Sequence, residues 1–258
     1  MRRCRNLTGR RLIDRFEERA EECQSHAELA ALVDEATRSL GFQFFALLHH
    51  SSLTEPTAGL IRLDTYPREW EAELQRDDLI GADPVHHACS RINVGFLWEE
   101  LSRLVPLHMR DRDMLNRARR HGIADGFTVP IHIPGEPPAS CTFAVRAGVA
   151  IPRDRLLSAE QLGIHAFHIA RRLSGFLAEG HAPRLSLRAR QCVRLMTLGN
   201  TDNQIAYRLA ISPETVHQYI KQAKATYGVA TRAQLAACAL HDALVSFEDA
   251  IPRNRGIG

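Results

Sequence analysis

The chain has 258 residues, 45% apolar and 24% charged, with a net charge of +3, an ordinary composition for one or two soluble domains that bury a core without staples. No apolar run is long enough to cross a bilayer, and no apolar stretch follows the basic start Met1 to Arg11; this excludes a membrane-spanning helix and argues against a secretory signal. The six cysteines (Cys4, Cys23, Cys89, Cys141, Cys192 and Cys238) form no C-x-x-C pair, the pattern of reduced thiols in a cytoplasmic protein.

From the N-terminus, residues 11–24 and 26–40 predict two helices. The second carries Ala27, Ala30, Ala31, Val33 and Leu40 at helical spacing and stops at Gly41. Phe42 to His50 predicts a largely buried strand whose closing pair, His49-His50, is expected at the surface, and Leu60 to Leu63 predicts a short strand. Pro67 opens a helix to about Arg76, and Asp83-Pro84 opens another, with Asp83 as N-cap. A strand at Val94 to Leu97 precedes a charged helix from His108 to His121, ended by Gly122. Ile123 to Ile133 and Cys141 to Ala147 predict paired strands around a Pro-Gly turn at 134–138.

A long helix follows from Ser158 to Leu177. Its apolar residues Leu162, Ala166, Ile169, Leu173 and Phe176 are spaced 4, 3, 4 and 3, a stripe that suits either the domain's own core or a second copy of the chain. Residues 178–184 contain Gly and Pro without periodicity and predict a linker. From Arg184 onward, 10 basic residues face 5 acidic ones, a net of +5, whereas the rest has 23 against 25, a net of −2. A basic small half beside a slightly acidic large half fits a polyanion-binding module, although uneven surface charge alone gives the same count.

In that basic half, Ser186 caps a helix to about Leu198, stopped by Gly199. Thr201-Asp-Asn-Gln204 is a capping-box pattern for a helix to about Leu209. After a tight turn at Ala210-Ile211, Ser212-Pro213 starts the next helix. Two short helices joined this way have helix-turn-helix geometry. In the third helix Val216, Ile220, Ala223 and Tyr227 form one apolar stripe, while Thr215, His217, Gln218, Lys221 and Lys224 lie away from it. A helix that docks on a partner and reads a DNA groove needs this division; Gln218 suits adenine, His217 and Lys221 suit adjacent bases, and Lys224, Arg188 and Arg208 suit phosphates. An ordinary helical bundle with a polar outer face is the alternative.

Leu185 to Leu240 resembles the LuxR-type helix-turn-helix, through Leu185-Ser186, Arg188, Gly199-Asn200-Thr201, Gln204-Ile205-Ala206, Leu209, Ile211-Ser212, Thr215-Val216, Gly228-Val229 and Arg232. It departs from that pattern at Ala189, Val193, Tyr219 and Thr226-Tyr227. Residues from about Phe16 to Phe176 are similar to the autoinducer-binding domain of LuxR-type quorum-sensing regulators, through Tyr66-Pro67, Trp70, Asp83-Pro84, Trp98, Gly126-Phe-Thr-Val-Pro130 and Thr142-Phe143. The resemblance implies an N-acyl-homoserine lactone as ligand. Trp70 would donate to the lactone carbonyl, Asp83 would accept the amide N–H, Tyr66 and Thr142 would bond the amide-side carbonyl, and Trp98 would cover the ring. Leu74 stands where the family commonly has Tyr, which changes the acyl-chain side and leaves another small molecule, or ligand-independent action, as the alternative.

These readings predict an α+β protein: an antiparallel sheet flanked by helices over 1–177, a linker at 178–184, and an all-α, four-helix DNA-binding domain over 185–258. The resemblance implies a homodimer on two-fold-symmetric double-stranded DNA, with the Leu162–Phe176 stripe and the final helix, Arg232 to about Leu244, as contacts. No enzymatic motif, cofactor or metal site is expected: Asp83-Pro-Val-His86-His87-Ala-Cys89 offers zinc-like ligand types, but without a second ligand cluster.

Overall fold

The computed structural model describes residues 2–50, 60–76, 83–133, 136–175 and 185–251. It divides into two compact units, Met1–Glu179 and Gly180–Gly258. The first unit begins with α1 (Arg2–Glu22) and α2 (His26–Leu40), then β1 (Phe44–His49), β2 (Arg62–Asp64), α3 (Arg68–Arg76), α4 (Pro84–Cys89) and β3 (Phe96–Leu97). A 3-10 turn at Trp98–Glu100 leads into α5 (Leu101–Leu104), α6 (Met109–Arg120), β4 (Asp125–Ile131), β5 (Ala139–Val145) and α7 (Leu156–Leu173). The second unit holds α8 (Leu187–Thr197), α9 (Asp202–Leu209), α10 (Pro213–Tyr227), α11 (Arg232–His241) and the single turn α12 (Phe247–Ala250).

Capping places most of these ends. Ser25 Oγ accepts the Glu28 N–H, and Gly41, at φ 97°, closes α2 in the left-handed region. Asp83 Oδ1 accepts the Val85 N–H at 2.8 Å to start α4. Helix α1 begins nine residues before the sequence expectation, because its first turns carry no apolar periodicity to mark them.

The five strands pair antiparallel in the order β2-β1-β5-β4-β3, and the register fixes what each face offers. Phe45, Leu47, Phe127, Val129, Cys141 and Phe143 point to one side and join Leu29, Val33, Phe42, Leu162, Ala166 and Phe167 in the largest core, so α1, α2 and α7 cover that face. Gly163 permits close approach of α7: a Cβ there would lie 2.8 Å from Cys141 Cβ. The other face carries Phe44, Ala46, Leu48, Ser140, Thr142, Ala144 and Thr128 and lies under α3, α4 and α6.

The structure departs from two sequence expectations. Leu162, Ala166 and Ile169 are buried in the domain's own core, and Leu173 packs against it. The stripe is therefore core and not a dimer contact; Phe176 lies outside the described residues, as do the expected linker 178–184 and Pro134-Gly135 of the turn. A 4-3-4-3 spacing reports only that one helix face is apolar. His49 is buried rather than superficial. Its Nδ1 accepts the Ile61 N–H at 3.0 Å, its ring meets Phe167 edge-on at 5.2 Å, and its Nε2 lies 3.7 Å from Glu136. His50 is half-buried, stacked on His86 at 3.8 Å and bonded to Ser140 Oγ at 2.8 Å. A strand-terminal position looked solvent-facing in the sequence because the covering segments are distant in the chain.

In the second unit, Ile205, Val216, Ala223, Leu235 and Val193 are fully buried around α8–α11. The Thr201/Gln204 capping box forms, and Ser212 caps α10. The turn between α9 and α10 is made by Ala210 at φ 53°, ψ 50°, with the Ile211 N–H bonding back to Ala206 O at 3.1 Å. A side chain in the left-handed region carries a strain of about 1–2 kcal/mol, of which a glycine's greater unfolded-state freedom takes back about 0.4–1 kcal/mol. Ala210→Gly is therefore expected to raise the stability of this domain by about 0.5–1 kcal/mol in urea unfolding, with an unchanged m-value.

Candidate functional site

On the sheet face opposite the main core lies a cavity of about 60 Å³. Residues far apart in the chain converge on it: Ala46, Leu48, Arg62 and Asp64 from β1 and β2; Ser140 and Thr142 from β5; Trp70 and Leu74 from α3; Met114, Leu115 and Ala118 from α6. Tyr66, Asp83, Val85, His86, Trp98 and Ile123 complete the wall. All six residues singled out as ligand-binding from the sequence, Tyr66, Trp70, Leu74, Asp83, Trp98 and Thr142, are thus brought to one cavity. Arg62, Asp64, His86, Ser140 and the adjoining Thr128 were not singled out.

One end of the cavity is apolar. Phe44, Trp70, Leu74, Met114, Ala118, Ile123 and Ala144 form a buried cluster there, with Tyr66 and Trp98 packed against it. Glu73 ties the covering helices together, accepting from His121 Nε2 at 2.6 Å and from Arg117 Nε. The Glu73 carboxyl is held below its ordinary range by hydrogen bonds from His121 and Arg117. The Trp70 ring lies 5.5 Å from that of His121.

The floor is a hydrogen-bonded chain. The Trp98 indole N–H donates to Thr128 Oγ1 at 3.0 Å, and Thr128 Oγ1 lies 2.9 Å from Thr142 Oγ1. Gly126 makes room for the indole, since a Cβ there would sit 2.8 Å from Trp98 Cε2. Indole only donates, so Thr128 accepts from it; when Thr128 donates onward to Thr142, the Thr142 proton is left for an acceptor in the cavity. Tyr66 and Trp70 make no side-chain hydrogen bond among the described residues, although both line the space. Burial, then the nearby Asp83 and Asp64, raises the Tyr66 phenol well above its ordinary range, which keeps it a neutral donor. Asp83 spends Oδ1 on its own helix cap and turns Oδ2 toward His86 Nε2 at 3.7 Å. It is therefore both the N-cap and a wall residue.

The edge strand brings in charge. Arg62 Nε lies 3.5 Å from Asp64 Oδ2 and its Nη2 lies 3.5 Å from Glu71 Oε1. Burial, then repulsion from Glu71, pushes the Asp64 carboxyl up to about 6 from 3.8. The Cys89 and Cys141 thiols are buried, and burial pushes both far above their ordinary range, which makes them poor nucleophiles. Among the described residues no three His, Cys, Asp or Glu side chains are grouped as metal ligands would be, and no helix is long and apolar enough to cross a membrane.

In the second unit His217, Gln218 and Lys221 are exposed along α10. Thr215 and Lys224 are more engaged: Thr215 Oγ1 lies 3.0 Å from Ser212 Oγ, and Lys224 Nζ donates to Ala230 O at 3.1 Å, closing the end of its own helix. Tyr207, 89% exposed on α9, has the exposed Arg208 beside it and was not picked out from the sequence. Tyr227, one of the departures from the family pattern, donates to Asp242 at 2.5 Å and pins α10 to the end of α11.

Residues 25–173, more than half of the chain, match the family model described as the autoinducer binding domain, and residues 183–239 match that of bacterial regulatory proteins of the luxR family. The chain belongs to the LuxR family of transcriptional regulators. It is therefore a DNA-binding regulator with an autoinducer-binding domain, and not an enzyme. It is similar to the transcriptional activator protein RaiR of Rhizobium etli, 31% identical over 66% of this chain and 71% of that one. It is also similar to the putative HTH-type transcriptional regulator y4qH of Sinorhizobium fredii, 24% identical over 71% of this chain and 56% of that one. Crystal structures of Escherichia coli SdiA share the fold at TM-score 0.64 and 20% identity, covering 88% of this chain and 95% of SdiA.

The elevated Asp64 carboxyl gives a pH test of this LuxR-family site. The folded protein holds that proton more tightly than the unfolded chain, so the contribution of Asp64 to stability falls as pH rises from about 4 to about 6 and stays low above. Asp64→Asn is expected to stabilise the protein by about 1–3 kcal/mol at pH 7.5 and to lose that gain near pH 4. Urea unfolding at both pH values checks this, and a gain independent of pH contradicts the assignment.

Proposed function

We propose that this LuxR-family regulator senses an N-acyl-homoserine lactone in the cavity of its first domain, and as a homodimer binds two-fold-symmetric double-stranded DNA through α10, in the cytoplasm. The observation that carries the reading is the convergence of Tyr66, Trp70, Asp83, Trp98 and Thr142 on one cavity. An amide and a ring ester present one donor and two acceptors, and burying them is costly unless each is paired. Trp70 supplies the donor for the lactone carbonyl. Asp83 Oδ2 supplies a charge-assisted acceptor for the amide N–H. Tyr66 and the far end of the Trp98–Thr128–Thr142 chain supply donors for the amide carbonyl, and Trp98, held edge-on by Thr128, faces the ring.

A cavity of about 60 Å³ holds roughly four to six waters. A lactone with its acyl chain is larger, so α3, α4 and α6 separate from the sheet as ligand enters. Ligand then favours whichever state of the protein has the cavity open, which is the means by which occupancy is linked to DNA binding. Residues 178–184 serve as the link between the two domains. With the Leu162 stripe buried, the dimer contacts fall on outward faces: Leu157 and Ile164 of α7, and Ala233, Ala237 and Leu240 of α11. A second reading, an acyl ligand with a different head or no ligand at all, keeps support from Leu74 and from an SdiA structure in complex with octanoyl-rac-glycerol, at 20% identity and TM-score 0.65.

The test is DNA binding by the full chain with and without acyl-homoserine lactone. Trp70→Phe and Asp83→Asn are each expected to weaken the lactone response by about tenfold or more, the cost of an unpaired buried partner; an unchanged response in both removes the pocket assignment. Lys221→Ala is expected to cost about 1–3 kcal/mol of DNA affinity if it reads a base edge. An unchanged profile removes it from the reading face.

A further inference from the structure

The cavity has a second polar pole. Along β5 the same-face residues run Ala144, Thr142, Ser140, in steps of about 7 Å. The Ala144 end is the apolar cluster of Trp70, Leu74 and Met114. The other end is Ser140, and across β1 from Ser140 and Thr142 the edge strand carries Arg62 and Asp64 (Leu48 pairs with both Ser140 and Arg62, Ala46 with both Thr142 and Asp64). All four of these polar residues line the cavity. The Asp64 side chain is 5% exposed and that of Arg62 27%. They are therefore parts of the wall and not a solvated surface pair.

Asp64 Oδ1 accepts the Tyr66 N–H at 3.1 Å, and the rest of the geometry is open. Arg62 reaches Asp64 and Glu71 only at 3.5 Å each, beyond the 2.7–2.9 Å of a tight charge-assisted bond. A plain alkyl chain laid against this end leaves a guanidinium and a carboxylate facing hydrocarbon and gives no bond to either. A hydroxyl returns both bonds at once, donating to Asp64 and accepting from Arg62.

We infer that the ligand of this receptor is oxygenated at the end of its acyl chain remote from the lactone, and that Arg62, Asp64 and Ser140 select it. The inference rests on the lactone reading of the same cavity and adds the chemistry of the tail. Arg62 and Asp64 are specificity-determining; the head is held by Trp70, Asp83 and Thr142.

The experiment compares N-octanoyl-homoserine lactone with its 8-hydroxyoctanoyl counterpart, binding to the full-length protein being followed by calorimetry or by quenching of tryptophan fluorescence. The hydroxylated compound is expected to bind at least tenfold more tightly. Arg62→Leu together with Asp64→Leu is expected to reverse the order, and Ser140→Ala, which removes one hydroxyl and keeps the strand, to narrow it; circular dichroism and thermal midpoint establish that each variant folds, and if the double variant does not, Asp64→Asn with Ser140→Ala replaces it and is expected to narrow the preference at least threefold. If the plain compound binds as well as the hydroxylated one or better, the tail inference is overturned and the lactone reading stands. Should neither bind, both fall. A preference for the hydroxyl that survives in the folded variants also overturns the assignment to these residues.

Discussion

A buried hydrogen-bonding group has to find a partner, and in this protein that requirement shapes the sensor domain from the sheet outward. The inner sheet face is mostly hydrocarbon, Phe45, Leu47, Phe143 and Val129 meeting α1, α2 and α7, with His49 the polar side chain of β1 there, bonded through Nδ1 to the Ile61 N–H. The outer face is not. Thr128, Thr142 and Ser140 are buried under α3, α4 and α6, and each is partnered, with Thr128 joining Trp98 to Thr142 and Ser140 joining His50. Among the described residues the Tyr66 hydroxyl and the Trp70 indole N–H bond no side chain, and Asp83 Oδ2 faces His86 Nε2 at 3.7 Å; all three residues line the cavity. Donors and acceptors gathered around an enclosed space describe the complement of a small polar molecule.

Much of this was legible in the chain itself, and the reasons differ by element. Helix ends were readable because capping is local: Asp83, Ser186, Thr201 and Ser212 each bond a backbone N–H two or three residues on. The antiparallel sheet, with its helices, has the predicted α+β class. Trp70 and Trp98 stood out because the chain has only two tryptophans, both in a family-like order. Arg62, Asp64 and Ser140 did not. Each is an unremarkable polar residue in a strand, and its place at the cavity depends on a register that only the assembled sheet reveals.

The same limit explains the two misreadings. An apolar stripe on α7 has the same spacing whether it meets its own sheet or another molecule, and the sheet won. His49 and His50 close a strand and were expected at the surface, yet Phe167, Glu136 and His86 come in from elsewhere in the chain to cover them. In the DNA-binding domain local signals sufficed for the helices. They were less informative about side chains: Lys224, placed on the reading face by spacing, turns back to close its own helix, whereas His217, Gln218 and Lys221 remain exposed.

A crystal structure of the full chain grown with acyl-homoserine lactone reads directly what fills the space between the outer sheet face and its covering helices. It should show the lactone carbonyl within hydrogen-bond distance of Trp70 Nε1, the amide N–H on Asp83 Oδ2, and the covering helices displaced outward from the sheet. Ligand bound elsewhere, or Trp70 and Asp83 turned away from an unexpanded interior, would contradict it.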